Sequence, residues 1–240
     1  MEIVEIHLDS TDSTNTWAKK HFPEFQQDKV TCVLAEEQTG GRGRFNRSWH
    51  SPRSLNLYVT FVFRLHNPMH LGSIGQVMAL SLAQVLLQEG LHPQVKWPND
   101  VLLGGKKLAG VLAETQSLKD TVAVFLGIGI NVNLAADELK KIDKPATSLK
   151  AETGRDWNRD TLFKRLSRQF LIDLDKFKKR GFEPFHHQFE NLMALKGKTV
   201  HCFDGKKEWA GICHSLSNDG QLNLLLPDHT IRTLSAGDIR

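Results

Sequence analysis

The chain has 240 residues, of which 40% are hydrophobic and 24% charged, and its formal net charge is only +4. This length and apolar content suffice for one large domain, or one large and one small, with a packed core. The small net charge argues against bulk nucleic-acid binding, and we expect no membrane span because glycines interrupt the best apolar run, TVAVFLGIGI.

The cysteines Cys32, Cys202 and Cys213 are odd in number, scattered, and contain no C-x-x-C. This pattern argues against a disulfide framework and against a zinc site, so we predict buried thiols in a reducing compartment and no protein metal centre. The first residues, MEIVEIHLDS, are acidic and alternating, unlike a signal peptide. We therefore expect a soluble, cytoplasmic protein with no membrane association.

The first third of the chain predicts strands at 2–8, 30–36 and 55–63, because apolar residues alternate or run continuously there. Between the first two, DSTDSTN precedes a short helix, and one of its Ser, Thr or Asn residues is expected to cap it. A helix is predicted over 73–89, ended by Gly90.

In the middle of the chain, VLLGGKKLAGVLAE predicts two strands joined at a tight Gly104-Gly105 turn. TVAVFLGIGINVNL predicts two further strand segments with a bend marked by glycines. Asn158 is predicted to open a long helix with a buried stripe that runs from Phe163 to Phe177, closed by Gly181.

After about residue 194 the pattern changes to short strands separated by Asp-Gly, Asn-Asp-Gly and Pro-Asp turns. So few residues suggest a small β-barrel. We predict an α+β protein in which residues 1–193 form a catalytic domain and residues 194–240 form the small barrel.

A local excess of positive charge stands out against the modest total. No Asp or Glu occurs between Glu37 and Glu89, whereas five arginines fall in that gap: Arg42, Arg44, Arg47, Arg53 and Arg64. Within it, QTGGRGRFNRSWHSPR combines glycines, which let backbone N–H groups close around a phosphate, with planar cationic donors. A solvated basic loop is the alternative, and Trp49 is either core or a platform for a nucleobase.

Three further stretches carry chemistry. Ser13-Thr14-Asn15 is either a helix cap or a polar cluster for a ligand's urea or amide. KWPND ends at Asp100, which either forms a turn or reaches an amine, and Lys107 on the following strand is expected to share a face with Ala109 and Val111. In GIGIN, two glycines let a ligand or another chain segment approach a strand closely.

GRGRFNRSW, KWPND, KLAG and GIGIN, in this order and spacing, resemble the biotin protein ligases. The resemblance extends from about residue 8 to 134 and more weakly through the tail. It implies a mixed-sheet catalytic domain of the class II aminoacyl-tRNA synthetase type. It also implies that ATP, with Mg²⁺, activates biotin to biotinyl-adenylate, and that biotin passes to a lysine of the biotin carboxyl carrier protein of a biotin-dependent carboxylase.

The resemblance also implies roles for residues. Arg44, Lys107 and Asp100 would take part in catalysis, with Asp100 orienting the acceptor lysine. Trp49 would stack on adenine and Asn131 would lie on the nucleotide side. The remaining biotin-contacting or neighbouring positions would be Ser13, Thr14, Asn15, Gln38, Gly41, Arg42, Gly43 and Gly110. The oligomeric state stays open, with a homodimer as one expectation.

The chain departs from the family loop at Phe45, Asn46 and Ser48, where glycine or cationic residues are usual. Asn46 tolerates left-handed backbone angles, so we expect the turn to survive, and we expect the loss of positive charge at Phe45 and Ser48 to weaken nucleotide retention. Two rival functions are a lipoate or octanoate ligase of the same superfamily and an RNA-binding Gly-Arg loop. Because strand 2–8 begins at once, we expect no helix-turn-helix ahead of it and no DNA binding.

Overall fold

The computed structural model describes residues 2–66 and 68–239. The α-helices in this part of the chain are α1 (Thr14–His21), α2 (Ile74–Gln88), α3 (Ala136–Leu139), α4 (Leu149–Thr153), α5 (Arg159–Arg180) and α6 (His186–Asn191). The strands are β1 (Ile3–Thr11), β2 (Val30–Gln38), β3 (Leu57–Leu65), β4 (Gln94–Lys96), β5 (Asp100–Leu103), β6 (Lys106–Ser117), β7 (Val122–Ile130), β8 (Thr199–Phe203), β9 (Glu208–Leu216), β10 (Leu222–Leu225), β11 (Ile231–Leu234) and β12 (Asp238–Ile239).

The chain divides into two compact units that interleave in sequence. The first comprises Met1–Pro68 and Lys106–Arg168, and the second comprises Met69–Gly105 and Gln169–Arg240. The boundary falls within α5, so it does not coincide with an exposed linker. A boundary after residue 193 stays a prediction.

The first unit contains a mixed sheet with the strand order β1-β2-β3-β7-β6. The pair β1 and β2 is parallel, and the other neighbours in this run are antiparallel. A connection that contains α1 joins the parallel pair, as parallel strands require. Helix α1 packs on this sheet through Ala18, beside a buried cluster that includes Phe22, Val33, Val62, Ala123 and Phe125.

Several predictions for the secondary structure are confirmed. The predicted strands and the short helix appear as β1, β2, β3 and α1. Helix α5 opens at Asn158, whose side-chain oxygen accepts a 2.8 Å hydrogen bond from Thr161 N–H, and Gly181 follows its last turn at φ +63°. The mixed sheet with helices establishes the α+β class.

The predicted glycine bend in residues 121–134 was wrong. Strand β7 runs unbroken from Val122 to Ile130 and keeps register with both β3 and β6. These glycines lie within the regular strand, where they provide space for neighbouring side chains. Their missing side chains leave room for Asn15 at Gly127 and for Trp49 at Gly129.

The second unit contains the β4–β5 hairpin and a five-stranded antiparallel sheet with the order β11-β10-β9-β8-β12. The predicted barrel was therefore wrong in one respect, since the strand pairing is open between β11 and β12. Strand β12 is only two residues long and carried too little pattern to be predicted. Cys202 and Cys213 are buried here, Cys32 is buried in the first unit, and none of the three forms a disulfide.

Helix α2 forms part of the core of the second unit. The segment Leu71–Gln88 is long and apolar enough to cross a membrane by length and composition, with a mean hydropathy of 1.4. The choice of TVAVFLGIGI as the best apolar run was thus wrong. However, 72% of this segment is buried inside the structure, which is typical of a core helix.

Candidate active site

A buried polar cluster forms where α1 begins. Ser13, Thr14 and Asn15 are each at most 5% exposed, although short polar residues usually face solvent. Ser13 occupies the N-cap position, but its side chain makes no capping hydrogen bond. The capping prediction was therefore right about position and wrong about the bond.

Asn15 is held from both ends of its amide. Its Nδ2 donates to Glu114 Oε2 at 2.8 Å and lies within 3.5 Å of the Leu112 and Phe125 carbonyls. Its Oδ1 accepts from the Thr60 hydroxyl at 2.6 Å. A Cβ on Gly127 would overlap Asn15 Oδ1 and lie 3.1 Å from Cγ, so only glycine leaves space for this arrangement.

Gln38, at the end of β2, joins this cluster to the Gly-Arg loop. Its Oε1 accepts the Thr14 backbone N–H at 2.9 Å, and its Nε2 donates to Ser51 Oγ at 3.1 Å. Ser51 in turn donates to the carbonyl of Trp49 at 3.0 Å. The polar start of α1 and the base of the loop are therefore one connected network.

The Gly-Arg loop folds on itself. Gly43 N–H donates to Arg47 O at 2.7 Å, and Trp49 N–H donates to Gly41 O at 2.9 Å. A Cβ on Gly41 would lie 2.6 Å from Ser51 Oγ and 2.8 Å from Trp49 O, so a side chain at this position would displace the network.

The loop turn occurs at two of the three residues where the chain departs from the family pattern. Phe45 and Asn46 adopt φ values of +56° and +55°, in the left-handed region. Asn46 tolerates this conformation, as expected, but Phe45 is strained there. Phe45 is 49% exposed, and the guanidinium carbons of Arg44 and Arg47 lie 5.1 and 5.6 Å from its ring centroid.

Trp49 and Lys107 lie over two glycines of neighbouring strands. The Lys107 ammonium is 5.3 Å from the centroid of the Trp49 ring. A Cβ on Gly110 would lie 3.1 Å from Lys107 Nζ, and one on Gly129 would overlap the Trp49 indole. The end of Lys107 thus lies on the Gly110 face, not on the face of Ala109 and Val111 as expected. Register with β7 begins only at Ala109, and the Lys107 backbone pairs instead with Ala146 in an isolated bridge.

The remaining cations and polar residues are placed as follows. Arg42 donates to Thr16 Oγ1 at 2.8 Å, which ties the loop to α1. Asn131 is 2% exposed, and its Nδ2 donates to Thr147 O at 3.0 Å. Asp100 belongs to the second unit, where its backbone lies opposite that of Lys96 in the register of the β4–β5 hairpin.

Sequence reasoning missed three residues of this network: Ser51, Thr60 and Glu114. Thr60 interrupts the apolar strand LNLYVTFVF and is fully buried, and a lone buried polar residue is the signal that could have identified it. Glu114 closes KLAGVLAE and forms an ion pair with Lys19. Burial alone would raise the pKa of Glu114, but hydrogen bonds from Lys19 and Asn15 hold that pKa below its ordinary value.

The chemistry of this arrangement suits an anionic ligand with a polar, uncharged end. Lys107 and the arginines supply cationic donors for carboxylate and phosphate oxygens. Thr14 and Gln38 supply uncharged hydrogen-bonding groups in the network that leads to the loop. Among residues 2–66 and 68–239, no group of three or more His, Cys, Asp or Glu side chains could hold a metal ion.

Comparison with known proteins identifies relatives of this chain. Residues 7–131 match the sequence model of the Biotin/lipoate A/B protein ligase family. The bifunctional ligase/repressor BirA of Escherichia coli (strain K12) is 33% identical over 95% of this chain and 71% of its own length. The biotin–[acetyl-CoA-carboxylase] ligase of Paracoccus denitrificans is 32% identical over 92% of this chain and 93% of its own.

A solved structure agrees with these sequence matches. The biotin protein ligase from Aquifex aeolicus in complex with biotin and ATP superposes with a TM-score of 0.78 at 32% identity. The match covers 98% of this chain and 97% of that one. The similarity therefore includes both compact units as well as the residues matched by the family.

Proposed function

The chain belongs to the Biotin/lipoate A/B protein ligase family, and from this membership we propose that it is a biotin–protein ligase. In the first step a biotin carboxylate oxygen attacks the α-phosphorus of ATP, and pyrophosphate leaves. In the second, the amine of a carrier lysine attacks the acyl carbon, AMP leaves, and one proton is released. The carrier we propose is the biotin carboxyl carrier protein of a biotin-dependent carboxylase.

One observation carries the proposal. The buried polar start of α1 is connected through Gln38 and Ser51 to the Gly-Arg loop, and Trp49 of that loop contacts Lys107. A ligand with a polar neutral head and an anionic tail needs neutral hydrogen-bonding groups at one end and cations at the other. Biotin has this form, with a ureido ring and a carboxylate.

We assign roles to the cationic residues on electrostatic grounds. Adenylation brings a carboxylate against a phosphate, so the like charges must be screened. Lys107, Arg42 and Arg44 carry the charge that can do this, and Arg44 would make its contacts when the loop closes over the intermediate. Closure would also shelter the acyl-phosphate anhydride from water.

The remaining residues are proposed to contact the ligand from the ureido ring of biotin to the adenine ring of ATP. Ser13, Thr14, Asn15 and Gln38 would hold the ureido end directly or position the groups that do, and Gly41, Gly43 and Gly110 would let the backbone approach closely. Trp49 would stack on adenine. Its Nε1 is buried and makes no hydrogen bond among the described residues, and such orphaned donors are rare. Asn131 would act indirectly, because its amide donates to Thr147 O.

Mg²⁺ would arrive as the counter-ion of the ATP phosphates. Magnesium sites often use one or two carboxylates together with substrate phosphates. The loop 38–53 contributes no carboxylate, so carboxylates that hold the ion together with the phosphates would come from outside this loop.

Asp100 is proposed to act in the second step, where the incoming lysine must lose its proton before it attacks. We expect Asp100→Asn to slow transfer from preformed adenylate to the carrier more than it slows adenylate formation. Single-turnover experiments separate the two steps, and a defect confined to the first step would remove Asp100 from this role.

We also propose a cytoplasmic location, where carrier proteins and ATP meet, and leave a homodimer to be tested by light scattering.

The test of the function is pyrophosphate–ATP exchange without a carrier. We expect exchange that requires biotin and that lipoate and octanoate neither replace nor inhibit at equal concentration. Exchange supported by lipoate would identify the rival ligase of the same superfamily. Exchange indifferent to both acids would contradict the proposal, and a salt-dependent RNA complex in its place would favour a nucleic-acid-binding loop.

A further inference from the structure

We propose that Glu114, Asn15 and Thr60 hold the hydroxyl proton of Thr14 away from the ligand, so that Thr14 accepts an N–H and rejects an acceptor atom. The inference rests on the proposed function and concerns the polar end of its substrate. It makes Glu114, Asn15 and Thr60 positioning residues that determine specificity.

The amide orientation of Asn15 is fixed by its surroundings. Its Nδ2 lies 2.8 Å from the Glu114 carboxylate, 3.4 Å from Leu112 O and 3.5 Å from Phe125 O. All three neighbours are acceptors, so the opposite orientation would set the amide oxygen against them. The amide oxygen therefore faces Thr60.

The next link is the single proton of Thr60. Its hydroxyl lies 2.6 Å from Asn15 Oδ1 and 2.8 Å from Thr14 Oγ1. A hydroxyl carries one proton, and an amide oxygen has none, so the Thr60 proton must go to Asn15. The proton between Thr60 and Thr14 must then come from Thr14.

This leaves the Thr14 hydroxyl with its proton already placed. The competing acceptor, Gln38 Oε1, is farther away at 3.1 Å and already accepts the Thr14 backbone N–H at 2.9 Å. Thr14 Oγ1 consequently keeps lone-pair density but has no proton to offer. Thr14 and Thr60 are 4% and 0% exposed, so water does not readily supply a substitute proton.

The consequence is a preference for one kind of ligand atom. A ureido ring presents N–H donors, which Thr14 can accept. In a cyclic carbamate one ring N–H is replaced by oxygen, which is an acceptor. That oxygen would lie against the lone pairs of Thr14 Oγ1 with no proton between them. Sites built on fixed hydrogen-bond polarity reject such analogues far more strongly than sites built on shape.

Glu114 is the residue that sets this polarity from outside the ligand position. Its other oxygen is paired with Lys19, and its side chain is 26% exposed. A carboxylate has no proton to donate, whereas a neutral amide could present either end to Asn15. Glu114 is much the nearest of the three acceptors, because the Leu112 and Phe125 carbonyls lie at the limit of hydrogen-bonding distance. Removing the carboxylate should therefore let the Asn15 amide reorient and release the Thr14 proton.

The experiment compares kcat/KM for pyrophosphate–ATP exchange with biotin and with each of its two ring carbamates. We expect the wild type to favour biotin strongly over at least one carbamate. In Thr60→Val and Glu114→Leu, Thr60 no longer accepts the Thr14 proton, and a ligand acceptor competes for it only with Gln38 Oε1 at 3.1 Å. The kcat/KM for biotin divided by the kcat/KM for that carbamate should fall at least about tenfold, because the discrimination supplied by one hydrogen bond is lost.

Two controls separate this effect from general damage. Thr60→Ser keeps the hydroxyl and should keep the ratio, and Glu2→Leu makes the same change as Glu114→Leu at an exposed ion pair with Lys29. A merely structural role would lower activity on biotin and carbamate alike, and would leave their ratio unchanged.

An unchanged ratio in folded Glu114→Leu and Thr60→Val, for both carbamates, would overturn the inference. If Thr60→Val does not fold, Glu114→Leu decides alone, since its partly exposed side chain tolerates replacement. Absence of any biotin-dependent exchange in the wild type would instead contradict the proposed function.

Discussion

At the scale of single residues, Lys107 is the position with the most direct chemical consequence. We expect Lys107→Ala to lower the rate of adenylate formation by about one to two decades, because a charge-assisted contact contributes roughly 1.5–3 kcal/mol. The fold should survive, because Lys107 precedes the regular pairing of β6 with β7. Exchange kinetics measured on a variant with wild-type circular dichroism check this. Wild-type rates would remove Lys107 from the site.

Gly129 tests the position of Trp49. A Cβ there would overlap Trp49 Nε1 and lie 2.6 Å from Cε2, so Gly129→Ala should displace the ring. We expect the KM for ATP to rise several-fold more than the KM for biotin, as steady-state exchange would measure. Gly72→Ala is the matched control, because a Cβ at Gly72 meets no atom within 4 Å. Equal KM changes for both substrates would contradict the assignment of Trp49 to the nucleotide.

Several predicted site residues lie in one connected network, and they could be noticed in sequence because their types reveal their chemistry, while their roles stay predictions. Arginines among glycines and a lysine on an apolar strand are unusual enough to be noticed in sequence. Thr60 and Glu114 were not found, because their importance lies in which atoms they face. Hydrogen-bond polarity depends on three-dimensional neighbours and leaves no spacing pattern in the chain.

At the scale of elements, the Gly-Arg loop should act as a retaining lid. Ordering such a segment costs roughly 2–5 kcal/mol, which contacts made in the closed state offset. Arg44→Gly removes a guanidinium and adds backbone freedom, so biotinyl-adenylate should dissociate faster with little loss of stability. Serum albumin incubated with the variant, biotin and Mg-ATP should become biotinylated. Unchanged release would mean that Arg44 does not hold the lid.

Phe45 should contribute to this loop through its ring. Its left-handed backbone is unfavourable for a phenylalanine, while Arg44 and Arg47 lie over its face. We expect Phe45→Leu to raise the KM for ATP several-fold. Phe45→Tyr keeps an aromatic face and should leave this KM near the wild-type value. Substrate kinetics on both variants test this. If tyrosine and leucine behave alike, the ring has no such role.

Elements were predictable where one periodicity dominates, as in β1, α2 and α5. Two failures have physical causes. The glycines of β7 suggested a bend, but they accommodate side chains from α1 and the loop while the strand stays paired on both sides. The open order of the last sheet could not be predicted, because closure depends on whether β11 and β12 pair, and that is a non-local contact.

At the scale of the whole molecule, acid should destabilise the protein. Despite partial burial, hydrogen bonds and ion pairs lower the pKa values of Glu36, Glu114 and Glu190, and backbone N–H groups lower that of Asp204 to about 2. A carboxylate with a lower pKa in the folded state stabilises above its unfolded pKa, and loses this contribution as pH falls through the folded value.

The midpoint of urea unfolding should therefore fall as pH is lowered from about 5 to about 2, the range between the ordinary and lowered carboxyl pKa values. Glu190→Gln should make this dependence shallower, because it removes one of the contributing groups. A midpoint that stays constant or rises over this interval would contradict the sign of these pKa shifts.

The complete reaction is the transfer of biotin to a carrier lysine. Intact-protein mass spectrometry measures this transfer directly. A biotin carboxyl carrier domain would be incubated with the protein, biotin and Mg-ATP, beside a carrier whose acceptor lysine is replaced by arginine. We expect addition of one biotinyl group to the first carrier and none to the second, with no product when ATP is omitted. An unmodified carrier, or equal labelling of both carriers, would contradict it.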